Sequence, residues 1–140
     1  SYIRWKCPLL EKVTCNHSAG LNINGLGFAP CIRGVNNLRE IHMDDHTFCV
    51  LHGLRRDRAD NDDGDVTIFV CCIQTLERVS IRNSKLSLVF GDFGVGKSLS
   101  QSSLVKFVRN CPNLRWFRSD LSKENIDLLR SERPGIEFLN

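Results

Sequence analysis

The sequence predicts an α/β protein, a right-handed β/α solenoid with a short parallel sheet of about five strands. Three observations predict this class. A short motif, L-x-x-h-x-h (h is apolar, x is any residue), recurs along the chain. Apolar stretches with helical spacing separate several of the copies. One copy cannot bury its own apolar residues, whereas stacked copies can. The right hand follows from the strong preference for right-handed connections between parallel strands.

The strands are predicted from five copies of the motif. Residues 7–13 and 111–117 form the clearest pair and share the frame C-P-x-L-charge-x-apolar. If the first apolar residue of each copy is its anchor, the anchors are Leu10, Leu38, Leu76, Leu114 and Ile136. The two middle intervals between anchors are equal, and both are longer than the first and the last. Apolar residues alternate at the end of each copy, which predicts a short strand with one buried face.

The helices are predicted between the later copies. The first is indicated by Leu104, Val105, Phe107 and Val108. The second is indicated by Ile126, Leu128 and Leu129, with Ser122 as N-cap and Arg133-Pro134-Gly135 as the stop. Residues 28–35 and 66–73 occupy the same position in earlier copies. The second of these is rich in β-branched residues, so a buried strand remains an alternative there.

These anchors and frames resemble the leucine-rich-repeat family, in the longer form of ribonuclease-inhibitor-like and F-box-associated repeats. The resemblance covers residues 7–139, and the first and last intervals between anchors fit the family's repeat length. The family's asparagine in the turn after the strand is not regular, and Ser18, His46, Ser84 and Leu121 occupy or neighbour that position. The resemblance implies one solenoid domain over residues 1–140, with insertions near 52–65 and 85–100. Residues 1–6 read as the second half of a helix, so we expect upstream repeats and a C-terminal piece of a longer protein.

The resemblance also implies a non-enzymatic scaffold that binds another protein through the concave strand face. The outward positions predict three rows across the strands. The first is Lys12, Glu40, Arg78, Trp116 and Phe138; the second is Thr14, His42, Ser80, Arg118 and Asn140; the third is Asn16, Asp44, Arg82 and Asp120. The candidate partner-binding residues are Glu40, His42, Asp44, Arg78, Arg82, Trp116 and Arg118, since exposed Trp and Arg are enriched in binding hot spots. Alternatively, Glu40–Arg78 and Asp44–Arg82 only neutralise each other, and the chain end covers Trp116.

A phosphate-loop ATP- or GTP-binding protein is the alternative function. Residues 91–98 match G-x-x-x-x-G-K-[ST] in full, and the nucleotide-binding candidates are Gly91, Gly96, Lys97 and Ser98. Residues 86–90 would be the preceding strand, and residues 97–108 the following helix. However, no later segment has four apolar residues followed by aspartate. The loop also falls within the spacer between the third and fourth copies.

Metal, cofactor and enzyme functions find little support in the sequence. His42, His46, Cys49 and His52 match no metal-binding spacing. An EF-hand calcium loop around residues 60–65 fails at Ala59 and Val70. No catalytic triad can be recognised, so we expect no metal, no cofactor and no small-molecule substrate.

Composition limits the partners and the compartment. A net charge of +3 gives only weak attraction to nucleic acid. No apolar run approaches the roughly 18 residues of a membrane span. The seven cysteines are odd in number and lack a C-x-x-C pair, which favours buried, reduced thiols in an intracellular, reducing compartment.

Overall fold

A computed structural model describes residues 9–17, 19–22, 37–49, 68–69, 72–87 and 97–140, and shows an α/β arrangement there. The strands are β1 (Lys12–Thr14), β2 (Ala19–Asn22), β3 (Glu40–His42), β4 (Thr47–Cys49), β5 (Arg78–Ser80), β6 (Lys85–Ser87), β7 (Lys97–Ser98), β8 (Trp116–Arg118) and β9 (Glu137–Leu139). The helices are α1 (Gln101–Asn110) and α2 (Lys123–Glu132).

The first sheet contains five strands in the order β1-β3-β5-β8-β9. Every neighbouring pair in this sheet is parallel. The first residues of the strands lie opposite one another, in the order Lys12, Glu40, Arg78, Trp116 and Glu137. The prediction of a short parallel sheet of about five strands is therefore confirmed.

The register predicted for the last strand is wrong by one residue. Trp116 lies opposite Glu137, and Arg118 lies opposite Leu139. Phe138 lies opposite Phe117 and is buried, although the first row predicted it to face outward. Asn140 likewise does not continue the second row. A shift of one residue exchanges the two faces of a strand, so burial of Phe138 in the core determines the register.

A second sheet follows the first three strands and has the order β2-β4-β6-β7. Its first three strands are parallel, and β7 is antiparallel to β6. The turns between the two sheets contain His17, Asp45 and Asn83, whose φ angles are 57°, 56° and 56°. The intervals between these turn residues equal those between the first three anchors, so the same turn recurs in step with the strands. The sequence-based predictions do not include this sheet.

The core lies beneath the inward face of the first sheet. Ile41, Val79 and Phe117 point into it from neighbouring strands and are 0 % exposed. Aromatic rings continue from there in a run formed by Phe48, Phe69, Phe107 and Phe117, with successive centroids 5.7, 6.1 and 5.3 Å apart. We call these four residues the aromatic run. It joins β4 of the second sheet, through helix α1, to β8 of the first sheet.

Helix α1 confirms its predicted buried face. Leu104, Val105, Phe107 and Val108 are all buried. In helix α2 the Ser122 side chain accepts a hydrogen bond from the amide N–H of Asn125, as expected of an N-cap. Ile126 and Leu129 are buried three residues apart on one helix face, but Leu128 is 44 % exposed. The prediction that Leu128 belongs to the buried face is wrong. Each residue turns the helix by about 100°, so Leu128 points about 100° away from Leu129 and about 200° away from Ile126.

Several predictions lie outside the described residues. They concern residues 1–8, residues 28–35, the insertion at 52–65 with His52, and the glycines of residues 91–96. Residues 66–73 are described only in part: Ile68 and Phe69 are buried, and Cys72 and Ile73 lie in a turn.

Candidate binding surface

The outward face of the first sheet brings Glu40, Arg78 and Trp116 into one row, because these residues lie opposite one another on β3, β5 and β8. His42, Ser80 and Arg118 form the next row in the same way. We call this outward face the open face. Ser80 belongs to it but is only 1 % exposed, and its Oγ donates a hydrogen bond to Asp44 Oδ1 at 2.7 Å.

Trp116 is half-buried at the centre of the open face. The guanidinium Cζ of Arg78 lies 4.5 Å from the centroid of its ring, and the centroid of the His42 ring lies 6.0 Å away. Glu137 is its neighbour on β9. A depression beside Trp116 is also lined by Glu77, Arg78, Arg115, Gly135 and Glu137. The chain end thus borders Trp116 without burying it.

Glu40 binds its strand neighbours more closely than it binds Arg78. Its Oε2 is hydrogen-bonded to His42 Nε2 at 2.6 Å and lies 3.2 Å from Lys12 Nζ. The contact from Glu40 Oε1 to Arg78 Nε is longer, at 3.9 Å. The hydrogen bond from His42 lowers the pKa of Glu40; burial opposes this shift and Lys12 adds to it. The ionised carboxylate therefore stabilises the fold above its unfolded pKa, and this contribution is lost as the pH falls through its folded pKa.

Asp44 organises the ends of the strands. Its Oδ1 accepts hydrogen bonds from Ser80 Oγ at 2.7 Å and from the backbone N–H of Arg82 at 2.8 Å. Its Oδ2 lies 3.8 Å from Arg118 Nη1. The sequence suggested that Asp44 and Arg82 neutralise each other. In the structure Asp44 instead accepts a hydrogen bond from the backbone N–H of Arg82. The guanidinium of Arg82 forms no ion pair within the described residues.

A charged ladder, which the sequence-based rows miss, lies just before the strands. Arg39 lies 3.7 Å from Glu11 and 2.8 Å from Glu77, and Glu77 lies 3.7 Å from Arg115. These four residues, which we call the charged ladder, recur at the same intervals as the first four anchors, each directly after its anchor. That spacing is the signal that could have identified them.

Polar side chains in the turns connect successive units beneath the surface. Ser84 is buried, and its Oγ donates a hydrogen bond to the carbonyl of Met43 at 2.9 Å. His46, the equivalent residue one unit earlier, is also buried and is hydrogen-bonded to the backbone of Cys15. Burial lowers the pKa of His46, and the hydrogen bond to Cys15 partly opposes that shift. Both are among the residues predicted to occupy or neighbour the turn position at which the resembled family carries asparagine.

Two of the four nucleotide-binding candidates can be located. Lys97 and Ser98 form β7, antiparallel to β6, and both are exposed. Helix α1 begins at Gln101, and its N-cap Ser100 accepts a hydrogen bond from the amide N–H of Ser103. A phosphate loop leads directly into the N-terminus of a helix, where backbone N–H groups face the phosphate. In this structure an extended segment and a serine cap separate Lys97 from the helix. Gly91 and Gly96 lie outside the described residues.

Two of the described thiols are buried, and the described His, Cys, Asp and Glu side chains form no group that could hold a metal ion. Burial raises the pKa of Cys72 and of Cys111 to about 12, so both thiols stay protonated near neutral pH. In the described part of the chain, no three His, Cys, Asp or Glu side chains lie close enough to hold a metal ion. Neither described helix has the length and apolar character needed to cross a membrane.

Comparisons of this chain with protein-family models, with curated proteins and with solved structures found no match. The family resemblance therefore depends on the repeated frames alone, and function has to be argued from the open face.

Proposed function

We propose that this chain is part of a leucine-rich-repeat-like solenoid and acts as a non-enzymatic scaffold that binds another protein through its open face. The observation that carries the proposal is Trp116, half-buried between Arg78 and His42 on a surface that crosses five parallel strands. Trp and Arg are enriched among the few residues that dominate the energetics of protein interfaces.

The solenoid is supported by strand order and by repeated local structure. The four strands β1, β3, β5 and β8 pair in chain order, and each begins at the same distance after its anchor. The left-handed turn residues His17, Asp45 and Asn83 recur in step with the first three of these strands. Each turn leads into a strand of the second sheet. One supersecondary unit repeated along an axis is the pattern of a solenoid.

The open face itself supports a binding role. Parallel sheets in most α/β proteins have both faces covered by helices. In solenoids, by contrast, the parallel strands line an extended surface that is available to partners. Apart from Leu128, the apolar residues of the described helices α1 and α2 face the core, and the open face is lined by charged side chains and Trp116.

The test is affinity capture from cell extract with tagged wild-type protein and two alanine variants. Trp116→Ala removes the centre of the open face, whereas Leu128→Ala removes an exposed apolar side chain on α2 as a matched control. Proteins held by the wild type should be lost from Trp116→Ala and kept by Leu128→Ala. Thermal unfolding must first show that both variants are folded. Equal capture by all three proteins would refute the proposal.

A further inference from the structure

The chemistry of the partner can be inferred from which charges of the open face remain unsatisfied. Four arginines lie on or beside β5 and β8, two strands that are direct neighbours: Arg78, Arg82, Arg115 and Arg118. We call them the arginine cluster. Each guanidinium carries five N–H donors in a planar arrangement that fits a carboxylate.

Carboxylates near the arginine cluster already have closer partners. Glu40 is hydrogen-bonded to His42 at 2.6 Å, Glu77 to Arg39 at 2.8 Å, and Asp44 to Ser80 at 2.7 Å. The partners in these three bonds, His42, Arg39 and Ser80, do not belong to the arginine cluster. The shortest hydrogen bond of each carboxylate is therefore made to a group outside the cluster.

The contacts left to the arginine cluster are long. Arg78 lies 3.9 Å from Glu40, Arg115 lies 3.7 Å from Glu77, and Arg118 lies 3.8 Å from Asp44. Charged groups at these distances attract each other but form no hydrogen bond. Arg82 has no ion pair within 4 Å among the described residues. The side chains of Arg78, Arg115 and Arg118 are 48, 76 and 40 % exposed, so their N–H donors remain available to a ligand.

Trp116 adds an apolar contact at the middle of the arginine cluster. It precedes Arg118 by two residues on the same face of β8. Alternate side chains of an extended chain are separated by about 6.6 Å. An extended peptide along β8 could therefore place an apolar side chain on Trp116 and a carboxylate on Arg118 two residues away.

The acids around the arginine cluster favour a peptide with spaced carboxylates over a nucleic acid with its continuous row of phosphates. Asp44, Asp45 and Asp120 line the depression that contains Arg82 and Arg118, and Glu77 and Glu137 line the one that contains Arg78 and Arg115. Of these acids, Asp120 and Glu137 form no ion pair with the arginines within 4 Å in the described part of the chain. Closely spaced phosphates of a nucleic acid would meet both acids, whereas a peptide can place neutral residues there.

We propose that the open face binds an acidic, extended peptide segment of its partner, with carboxylates on the arginine cluster and an apolar side chain on Trp116. This inference rests on the proposed scaffold function and specifies the partner's chemistry. Charge-assisted bonds between guanidinium and carboxylate give such a contact both strength and orientation.

The experiment measures fluorescence anisotropy of short labelled peptides added to the full chain. One peptide alternates leucine and glutamate with serine between them, and its counterpart has lysine at every glutamate. A labelled single-stranded DNA is the third probe. We expect the acidic peptide alone to bind, and its affinity to fall as sodium chloride is added, since salt screens exposed charges.

Variants locate the contact. Arg78→Gln with Arg118→Gln should weaken binding of the acidic peptide by about tenfold or more. Lys106→Gln with Arg130→Gln removes the same charge from the helices and should change the affinity by less than about twofold. Arg82→Gln should also weaken binding, and it breaks no ion pair among the described residues.

Each outcome decides between the two proposals. Equal binding of the lysine peptide or of DNA, or no loss in the arginine variants, overturns the acidic-segment inference. If no acidic peptide binds but affinity capture still depends on Trp116, the inference fails and the scaffold proposal stands. If the acidic peptide binds equally well to Trp116→Ala and to all the arginine variants, the open face is not its site and the inference fails, whereas loss of affinity capture in Trp116→Ala would still support the scaffold proposal.

Discussion

Phe107 occupies the interior of the aromatic run, and its replacement by alanine should lower the free energy of unfolding by about 3–5 kcal/mol. The side chain is 1 % exposed. Its ring centroid lies 6.1 Å from that of Phe69 and 5.3 Å from that of Phe117. Two such contacts contribute about 0.5–1.5 kcal/mol each beyond the buried area. The remaining loss comes from apolar burial and from the cavity left behind.

The assay is urea denaturation followed by far-ultraviolet circular dichroism. Leu128→Ala is the control, because that side chain is 44 % exposed on α2 and should change stability by no more than about 0.5 kcal/mol. A loss below about 1 kcal/mol for Phe107→Ala would refute the reasoning. It would mean that Phe107 of α1 does not pack between Phe69 and Phe117 as described.

A double-mutant cycle tests the ring contact itself. Phe107→Leu and Phe117→Leu, alone and together, should show a coupling energy of about 0.5–1.5 kcal/mol. The control cycle pairs Phe48→Leu with Phe117→Leu. Both side chains are fully buried, but they are separated along the aromatic run by Phe69 and Phe107. Their coupling should stay within about 0.5 kcal/mol. Equal coupling in the two cycles would argue against a specific contact between Phe107 and Phe117.

Two further predictions concern a buried histidine and the glycine-rich segment. Because burial lowers the pKa of His46 below 6.5, the unfolded chain takes up its proton first, and stability should fall as the pH drops below about 6.5. Urea titrations at several pH values should show that His46→Gln removes this part of the pH dependence and that Ser84→Ala does not; an unchanged pH profile in His46→Gln would contradict the assignment. Thermal-shift titration with ATP or GTP and magnesium should leave the melting temperature of both wild type and Lys97→Ala unchanged. A rise that vanishes in Lys97→Ala would support the phosphate-loop alternative instead of the scaffold.

The first sheet could be predicted because its anchors are apolar in every copy. Leu38, Leu76 and Leu114 are buried as the frame requires, and the strands begin two residues after each of them. The last copy keeps the order Pro-x-apolar of residues 112–114, but its strand begins one residue after Ile136 instead of two. Matching Ile136 to Leu114 shifted the strand by one residue. The ring of Phe138, which belongs in the core opposite Phe117, was the better guide.

The second sheet and the pairing of charges could not be predicted in the same way. Strands β4 and β6 are as short as those of the first sheet, and alternation alone cannot distinguish such short segments from turns. The strands of the first sheet could be recognised because a repeated apolar anchor precedes each of them. The rows predicted which charges share the open face, and the structure brings Glu40, Arg78 and Trp116 together there. Which carboxylate prefers which arginine depends on small differences in distance between competing contacts, and spacing in the sequence carries no such information.

The charged ladder places charges of alternating sign on neighbouring strands of the first sheet, so the number of strands between two charges decides whether they attract or repel each other. Its signs alternate from Glu11 to Arg39, Glu77 and Arg115, and the adjacent strand positions Lys12, Glu40 and Arg78 alternate in the opposite phase. Loss of the unit that contains β3 would bring Glu11 against Glu77 and Lys12 against Arg78, and like charges directly opposite each other are destabilising. Loss or gain of two units would preserve both alternations. Electrostatically, the loss or gain of two such strand units is therefore better tolerated than the loss or gain of one.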